Sequence, residues 1–141
     1  MRSRGFVLVL VVYLSACALF GPDSRDEYAL TAVNGAPVPV TVRQGTLDGE
    51  PFDERYLSGK LVLFHGGSFA WELTTLTLIN GEPDARYPQR TGRHTGAYDR
   101  VQDTLNLSWY FKAVRIDDDS WAIRDVSGFF GRSTYTVVRQ R

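Results

Sequence analysis

Hydrophobic and polar residues alternate with a period of two along much of the chain beyond residue 27. Such alternation is typical of β-strands that bury one face. The clearest run sets four large apolar residues in one phase and three more polar residues in the other: Leu105, Leu107, Trp109 and Phe111 against Asn106, Ser108 and Tyr110. We predict that Leu105 to Phe111 form one strand whose apolar set points into the core.

Turn-forming residues divide the rest of the chain into further short strands. Asn34-Gly35 ends a strand over 28–33, and a Gly-Gly turn at 65–68 joins 61–64 to 69–79 in a hairpin. In that hairpin the apolar phase changes at Thr74-Thr75, where we expect a β-bulge. The other predicted strands cover 38–42, 95–101, 114–116, 121–123 and 135–137.

Two polar stretches interrupt this pattern. Gly45 to Gly59 contains four acidic residues, and we predict a loop with one helical turn there. The stretch from Gly81 to Gly92 contains Pro83 and Pro88, which argue against regular structure. We predict a long polar loop at that point.

Eight or nine short strands with almost no amphipathic helix predict an all-β domain, either a sandwich or a barrel. We favour a single small up-and-down β-barrel of about eight strands. Consecutive hairpins wind naturally into such a sheet, and closing the sheet removes its exposed edges.

The N-terminus has the features of a targeting segment. Arg2 and Arg4 precede nine apolar residues, 6–14, which reach only about 14 Å as a helix, against a hydrocarbon core about 30 Å thick. The run is therefore too short to span a membrane and fits the core of a signal peptide. An ordinary secretory signal, in which Cys17 has no special role, and a buried N-terminal strand are two alternatives. The following Leu14-Ser15-Ala16-Cys17 instead resembles the lipobox of bacterial lipoproteins.

The resemblance to lipoproteins implies a division of the chain and a location. Residues 1–16 would be a cleaved signal peptide, Cys17 would carry fatty acyl chains such as palmitate, and 17–25 would be a tether for a domain at 26–141. Ala18, rather than an aspartate, follows the cysteine, which in the enterobacterial pattern implies the periplasmic face of the outer membrane.

The mature part also resembles small lipocalin-like bacterial lipoproteins. The resembling segments are Tyr28–Pro37, Gly59–Leu63, Gly67–Phe69, Thr95–Tyr98 and Tyr135–Arg139. The lipocalin Gly-x-Trp opening is absent. The resemblance implies the barrel fold, but members of this group mostly have no assigned activity.

Composition narrows the classes of function. The 141 residues suit one domain, and 16 acidic residues balance 16 basic ones, so no basic surface for nucleic acid is indicated. Loss of Arg2 and Arg4 with the signal peptide would leave 14 basic residues, so charge alone would not draw the mature domain to anionic lipids. A single cysteine excludes a disulfide framework and a cysteine-rich zinc site.

No constellation of residues indicates catalysis. His65 lies in a Gly-Gly turn and His94 among arginines, while Asp117–Asp119 lacks the spacing of an EF-hand calcium loop. We therefore predict a monomeric, membrane-anchored, non-enzymatic barrel that binds a partner or supports an envelope assembly, with no metal and no cofactor. An enzyme is the remote alternative.

The second hypothesis is a carrier for a small hydrophobic ligand inside the barrel. Eight strands make an interior that side chains either fill or leave open for one ligand. Candidate ligand contacts are the large aromatic residues Trp71, Trp109, Phe111 and Trp121. Arginines in the polar segment 84–100 would suit an anionic group on a ligand: Arg86, Arg90 and Arg93.

Overall fold

The computed structural model describes residues 24–127 and 132–141. The predicted signal peptide, Cys17 and most of the predicted tether lie outside these residues. Within the described part, no helix is long and apolar enough to cross a membrane. The strands in this part are β1 (Arg25–Val33), β2 (Ala36–Pro37), β3 (Val40–Leu47), β4 (Glu50–Phe64), β5 (Ser68–Ile79), β6 (Glu82–Pro83), β7 (Arg90–Val101), β8 (Thr104–Leu107), β9 (Phe111–Asp117), β10 (Ser120–Asp125) and β11 (Thr134–Arg139).

Eight of these strands form a closed antiparallel barrel in the order β1-β4-β5-β7-β8-β9-β10-β11. Strand β1 closes it by pairing with both β4 and β11. The short β2 and β6 pair with the ends of β1 and β5, and β3 extends the sheet beyond the barrel along β4. The prediction of a small up-and-down barrel of about eight strands is confirmed.

The barrel has two distinct ends. The described chain enters beside Phe64, since Arg25 pairs with it, and the turns at 65–67, 102–103 and 118–119 lie at the same end. We call this the entry end. The opposite end, which we call the open end, carries the turns at 34–35 and 108–110 and the projecting β3–β4 hairpin.

The interior toward the entry end is filled by inward-facing apolar side chains. Burying such a side chain contributes roughly 1.5–3 kcal/mol. Each of the following is at most 1% exposed: Leu61, Leu105, Leu107, Ile123 and Val137. This packed half holds the barrel walls in register.

The predicted loop over 45–59 is wrong, because these residues form most of the β3–β4 hairpin. Asp48 and Gly49 form its two-residue turn with positive φ angles of 53° and 85°. An Asp-Gly pair suits such a turn, since glycine adopts positive φ at little cost. The bulge expected at Thr74-Thr75 lies instead on the partner strand: the register shifts between Tyr56 and Ser58, opposite those threonines.

The predicted single strand from Leu105 to Phe111 is also wrong. Strand β8 ends at Leu107, and a turn over 108–110 leads into β9, so that Leu107 pairs with Phe111 across a hairpin. Ser108 has φ of 54°, and its N–H donates to the Ala97 carbonyl at 3.0 Å.

Trp109 therefore does not point into the core. It lies at the tip of this turn, where it is 67% exposed and stacks on Tyr110 with ring centroids 3.8 Å apart. A three-residue turn leaves Leu107 and Phe111 on the same face of the sheet, as a continuous strand would. The alternation over 105–111 is therefore compatible with either structure.

We expect Phe111→Ala to lower the free energy of unfolding by about 3–5 kcal/mol, since it would remove a buried ring and leave a cavity. Trp109→Ala should cost less than about 1 kcal/mol, because Trp109 contributes only an exposed stacking contact. Urea unfolding of both variants measures the contrast. Equal losses would contradict the position of Trp109 in the turn.

Candidate functional site

The barrel interior is hollow toward the open end. A cavity of about 310 Å³ lies there, at the lower end of the roughly 300–1,000 Å³ found for ligand pockets. Its volume equals about ten times the roughly 30 Å³ that one water molecule occupies in the liquid. The lining residues come from β4, β5, β7, β9 and β11: Glu54, Tyr56, Trp71, Leu73, Thr75, Arg90, Gly92, His94, Phe111 and Tyr135.

Aromatic rings form the inner wall of the cavity. Trp71 meets Tyr135 edge to face, with ring centroids 5.5 Å apart, and His94 meets Phe111 in the same manner at 6.2 Å. Trp71, Phe111 and Tyr135 are each at most 3% exposed. Edge-to-face pairs of this kind restrict ring movement, so the wall is preformed.

Two tyrosines bring hydroxyl groups to the same wall. The rings of Tyr56 and Tyr135 stack at 6.1 Å. The pKa of Tyr56 is raised above its usual value, mainly because the side chain is buried. A hydrogen bond with Tyr135 partly offsets this rise, and the Glu54 carboxylate adds to it. Burial, followed by the neighbouring Tyr56, raises the pKa of Tyr135 well above its usual range. Both phenols are therefore neutral hydrogen-bonding groups at physiological pH.

One acidic and one basic side chain complete the lining. Glu54 on β4 is half-buried and Arg90 on β7 is exposed. The register places both beside β5: Glu54 pairs with Thr77, and Arg90 pairs with Thr75. The cavity thus combines an aromatic wall with one acid and one base on its rim.

Glycine at position 92 keeps part of this space open. A Cβ atom built there would meet only the Leu73 carbonyl oxygen, at 4.0 Å. Gly92 shares its inward phase with Arg90 and His94, which also line the cavity. A side chain at position 92 would project into the cavity without striking the backbone.

The structure brings three of the predicted ligand contacts together and separates the others. Trp71, Phe111 and Arg90 line the cavity. Trp121 is buried elsewhere in the core, with the Arg100 guanidinium 5.5 Å from its ring centroid, and Trp109 is exposed at the rim.

The other two predicted arginines do not reach the cavity. Arg86 forms an ion pair at 2.6 Å with Asp84 in the loop between β6 and β7, and a second one at 3.3 Å with Glu50. Arg93 has the outward phase on β7 and pairs with Glu72 at 3.5 Å. Both guanidiniums are thus engaged on the outer surface.

Several lining residues were not predicted. Glu54 and Tyr56 fall within the predicted loop over 45–59, because the charged Glu54 interrupts the apolar phase that Phe52 and Tyr56 would otherwise define. The arginines around His94 argue against a catalytic role and do not predict that it lines a cavity, yet His94 is half-buried against Phe111. Glycines occupy inward positions of β7, so the sequence lacks the alternating apolar residues that would have indicated the inward face of this strand.

Comparisons of the chain with protein-family models, with curated proteins and with solved structures gave no match. Among residues 24–127 and 132–141, no group of three or more histidine, cysteine, aspartate or glutamate side chains is arranged to hold a metal ion. The geometry of the cavity is therefore the main guide to function.

The raised pKa of Tyr135 makes stability depend on pH in a predictable direction. The unfolded chain would lose this proton near pH 10.0, whereas the folded protein retains it to higher pH. The free energy of unfolding should therefore fall as the pH rises above 10, by up to about 1.4 kcal/mol per pH unit from this group. Tyr135→Phe should lessen that fall.

Urea unfolding of the wild type and of Tyr135→Phe between pH 8 and pH 11 measures the difference. Tyr87→Phe, in the loop between β6 and β7, is the control, because it removes a phenol outside the barrel interior. Identical slopes for all three proteins would show that Tyr135 ionises equally in both states.

Proposed function

We propose that this protein is a non-enzymatic, membrane-anchored envelope lipoprotein whose barrel binds one small, largely apolar ligand. The observation that carries the proposal is the cavity of about 310 Å³ with its preformed aromatic wall. A closed barrel shields such a wall from water on all sides except the open end, which favours burial of an apolar group.

An anchor at Cys17 would connect to the barrel at its entry end. Residues 17–24 span at most about 28 Å when fully extended, so an anchored barrel would stay close to the membrane. The chain enters beside Phe64, at the end opposite the cavity. We propose that the open end is directed away from the membrane, on the periplasmic side of the outer membrane.

A second candidate function is docking of another envelope protein at the open end. It is favoured by the exposed apolar side chains of Trp109 and Val126, which are 67% and 59% exposed. The Val126 N–H donates to the Tyr110 carbonyl at 2.9 Å, so the two side chains belong to one rim. Exposed aromatic residues of this kind are common in protein interfaces.

The ligand proposal predicts that filling the cavity abolishes binding. In Gly92→Phe the added ring would occupy the space now open beside Leu73, while aromatic residues suit a strand. We expect the affinity for 1-aminoanthracene, a neutral dye that brightens in apolar surroundings, to fall at least about tenfold. Fluorescence titration of the full-length protein in lipid nanodiscs measures this, with empty nanodiscs as the blank.

Thr95→Phe is the matched control, because it adds the same ring at an outward position on β7. This variant should bind the dye as the wild type does. Undiminished dye binding by Gly92→Phe would place the dye outside the cavity and would contradict the proposal.

The anchor proposal predicts that Cys17→Ala moves the protein from the membrane fraction to the soluble fraction, because the acyl chains supply the attachment. Ser15→Ala keeps a small residue before the cysteine and should leave the protein in the membrane. Immunoblots of salt-washed fractions report the distribution. A Cys17→Ala protein that remains with membranes would mean that another segment holds it there.

A further inference from the structure

The two charges on the cavity rim have no ion-pair partners within the described residues. Ion pairs are frequent elsewhere on this surface, as for Arg86 with Asp84 and Arg93 with Glu72. Neither Glu54 nor Arg90 forms one among residues 24–127 and 132–141, although both line the cavity.

The cation that pairs with Glu54 in the register of β3 and β4 is engaged elsewhere. Arg43 is directly opposite Glu54 in the β3–β4 pairing, where an ion pair would be expected. Its guanidinium instead lies over the ring of Phe52, with 5.4 Å between its central carbon and the ring centroid. The Glu54 carboxylate is therefore left facing the cavity.

Glu54 and Arg90 lie on opposite sides of β5, two residues apart along it, since their partners are Thr77 and Thr75. With strands about 4.8 Å apart and about 3.4 Å per residue, their Cα atoms are separated by roughly 12 Å. Extended side chains could bridge this separation, yet in the structure the carboxylate and the guanidinium form no ion pair. Both line the cavity, so a small group that carries both charges could lie between them.

We propose that the ligand is a small zwitterion with an apolar or aromatic arm, of the α-amino-acid type. Its carboxylate would accept hydrogen bonds from Arg90, its ammonium group would donate to Glu54, and its arm would lie against Trp71, Phe111 and Tyr135. This inference rests on the proposed function, because it assigns a chemical class to the ligand of the same cavity.

A ligand with a single charge would fit the rim less well. An anion paired with Arg90 would be repelled by Glu54, and a cation paired with Glu54 would be repelled by Arg90. A neutral ligand would bury against the aromatic wall but would leave both charges without a partner. A zwitterion pairs with both groups while its arm occupies the apolar wall.

Three probes that share a phenyl group and a two-carbon arm test the assignment. L-Phenylalanine carries both charges, 3-phenylpropionate only the carboxylate and 2-phenylethylamine only the ammonium group. We expect L-phenylalanine to bind at least about tenfold more tightly than either analogue. Each analogue lacks one of the two charge-assisted hydrogen bonds, and the loss of one such bond weakens binding by about this factor. Calorimetric titration of the full-length protein in nanodiscs measures all three affinities.

Two variants assign each charge to its partner. Arg90→Gln should reduce the affinity for L-phenylalanine about tenfold and leave that for 2-phenylethylamine no weaker. Glu54→Gln should reduce it similarly and leave 3-phenylpropionate no weaker. Arg93→Gln on the outer face of β7 and Glu72→Gln on the outer face of β5, the strand between β4 and β7, are matched controls, and they should keep the wild-type affinities.

The outcomes separate this inference from the proposed function. If 1-aminoanthracene binds and Gly92→Phe blocks it, but L-phenylalanine binds no better than its analogues or none of the three binds, the zwitterion assignment is wrong and the cavity proposal stands. If the dye does not bind, or Gly92→Phe leaves its binding unchanged, the cavity proposal fails and the assignment fails with it.

Discussion

Pairing of β1 with both β4 and β11 is the constraint on which the rest of the structure depends. Tyr28 pairs with Leu61 of β4 on one side and with Arg139 of β11 on the other. Strand β1 therefore connects β11, the last strand, to β4 and closes the barrel. Closure gives the eight barrel strands partners on both sides and separates an inner face from an outer one. Further bonds secure the seam, including an ion pair between Asp26 and Arg139 and the Gln140 N–H donating to the Glu27 carbonyl at 2.8 Å.

Closure alone does not decide whether the interior is filled, because eight strands permit either outcome. In this barrel, the sizes of the inward-facing residues on β7 determine which part of the interior is filled. Gly92 and Gly96 occupy inward positions, and a Cβ at Gly96 would lie 2.2 Å from the Ser108 hydroxyl oxygen and 3.1 Å from the Phe69 ring. Close packing at Gly96 therefore fills the middle of the barrel, whereas the open space at Gly92 becomes part of the cavity. Two glycines four residues apart on the same face of β7 have opposite structural consequences.

The fold could be predicted from the alternation and the turns, but the site only in part. Large aromatic residues such as Trp71 and Phe111 are inward in any closed arrangement, so their place in the cavity wall follows from phase. Trp109 could not be placed in this way, because a turn and a strand give the same period. The Asp48-Gly49 pair is a turn signal that is compatible with a hairpin, but the four acidic residues around it favour a loop, and Glu54 lies on the second strand of that hairpin. The approach of this strand to β7 depends on the order of strands in the closed sheet, which no local pattern encodes.

A single extra residue determines the chemistry of the cavity. Counting back along β4 from the buried Leu61, strict alternation would point Leu57 and Arg55 inward. The register shift between Tyr56 and Ser58 inserts one residue into the strand, so that Tyr56 and Glu54 line the cavity instead. A β-bulge re-aims every side chain beyond it without breaking the sheet. The bulge therefore places the Tyr56 hydroxyl and the Glu54 carboxylate in the cavity instead of Leu57 and Arg55. The carboxylate consequently faces the same cavity as Arg90.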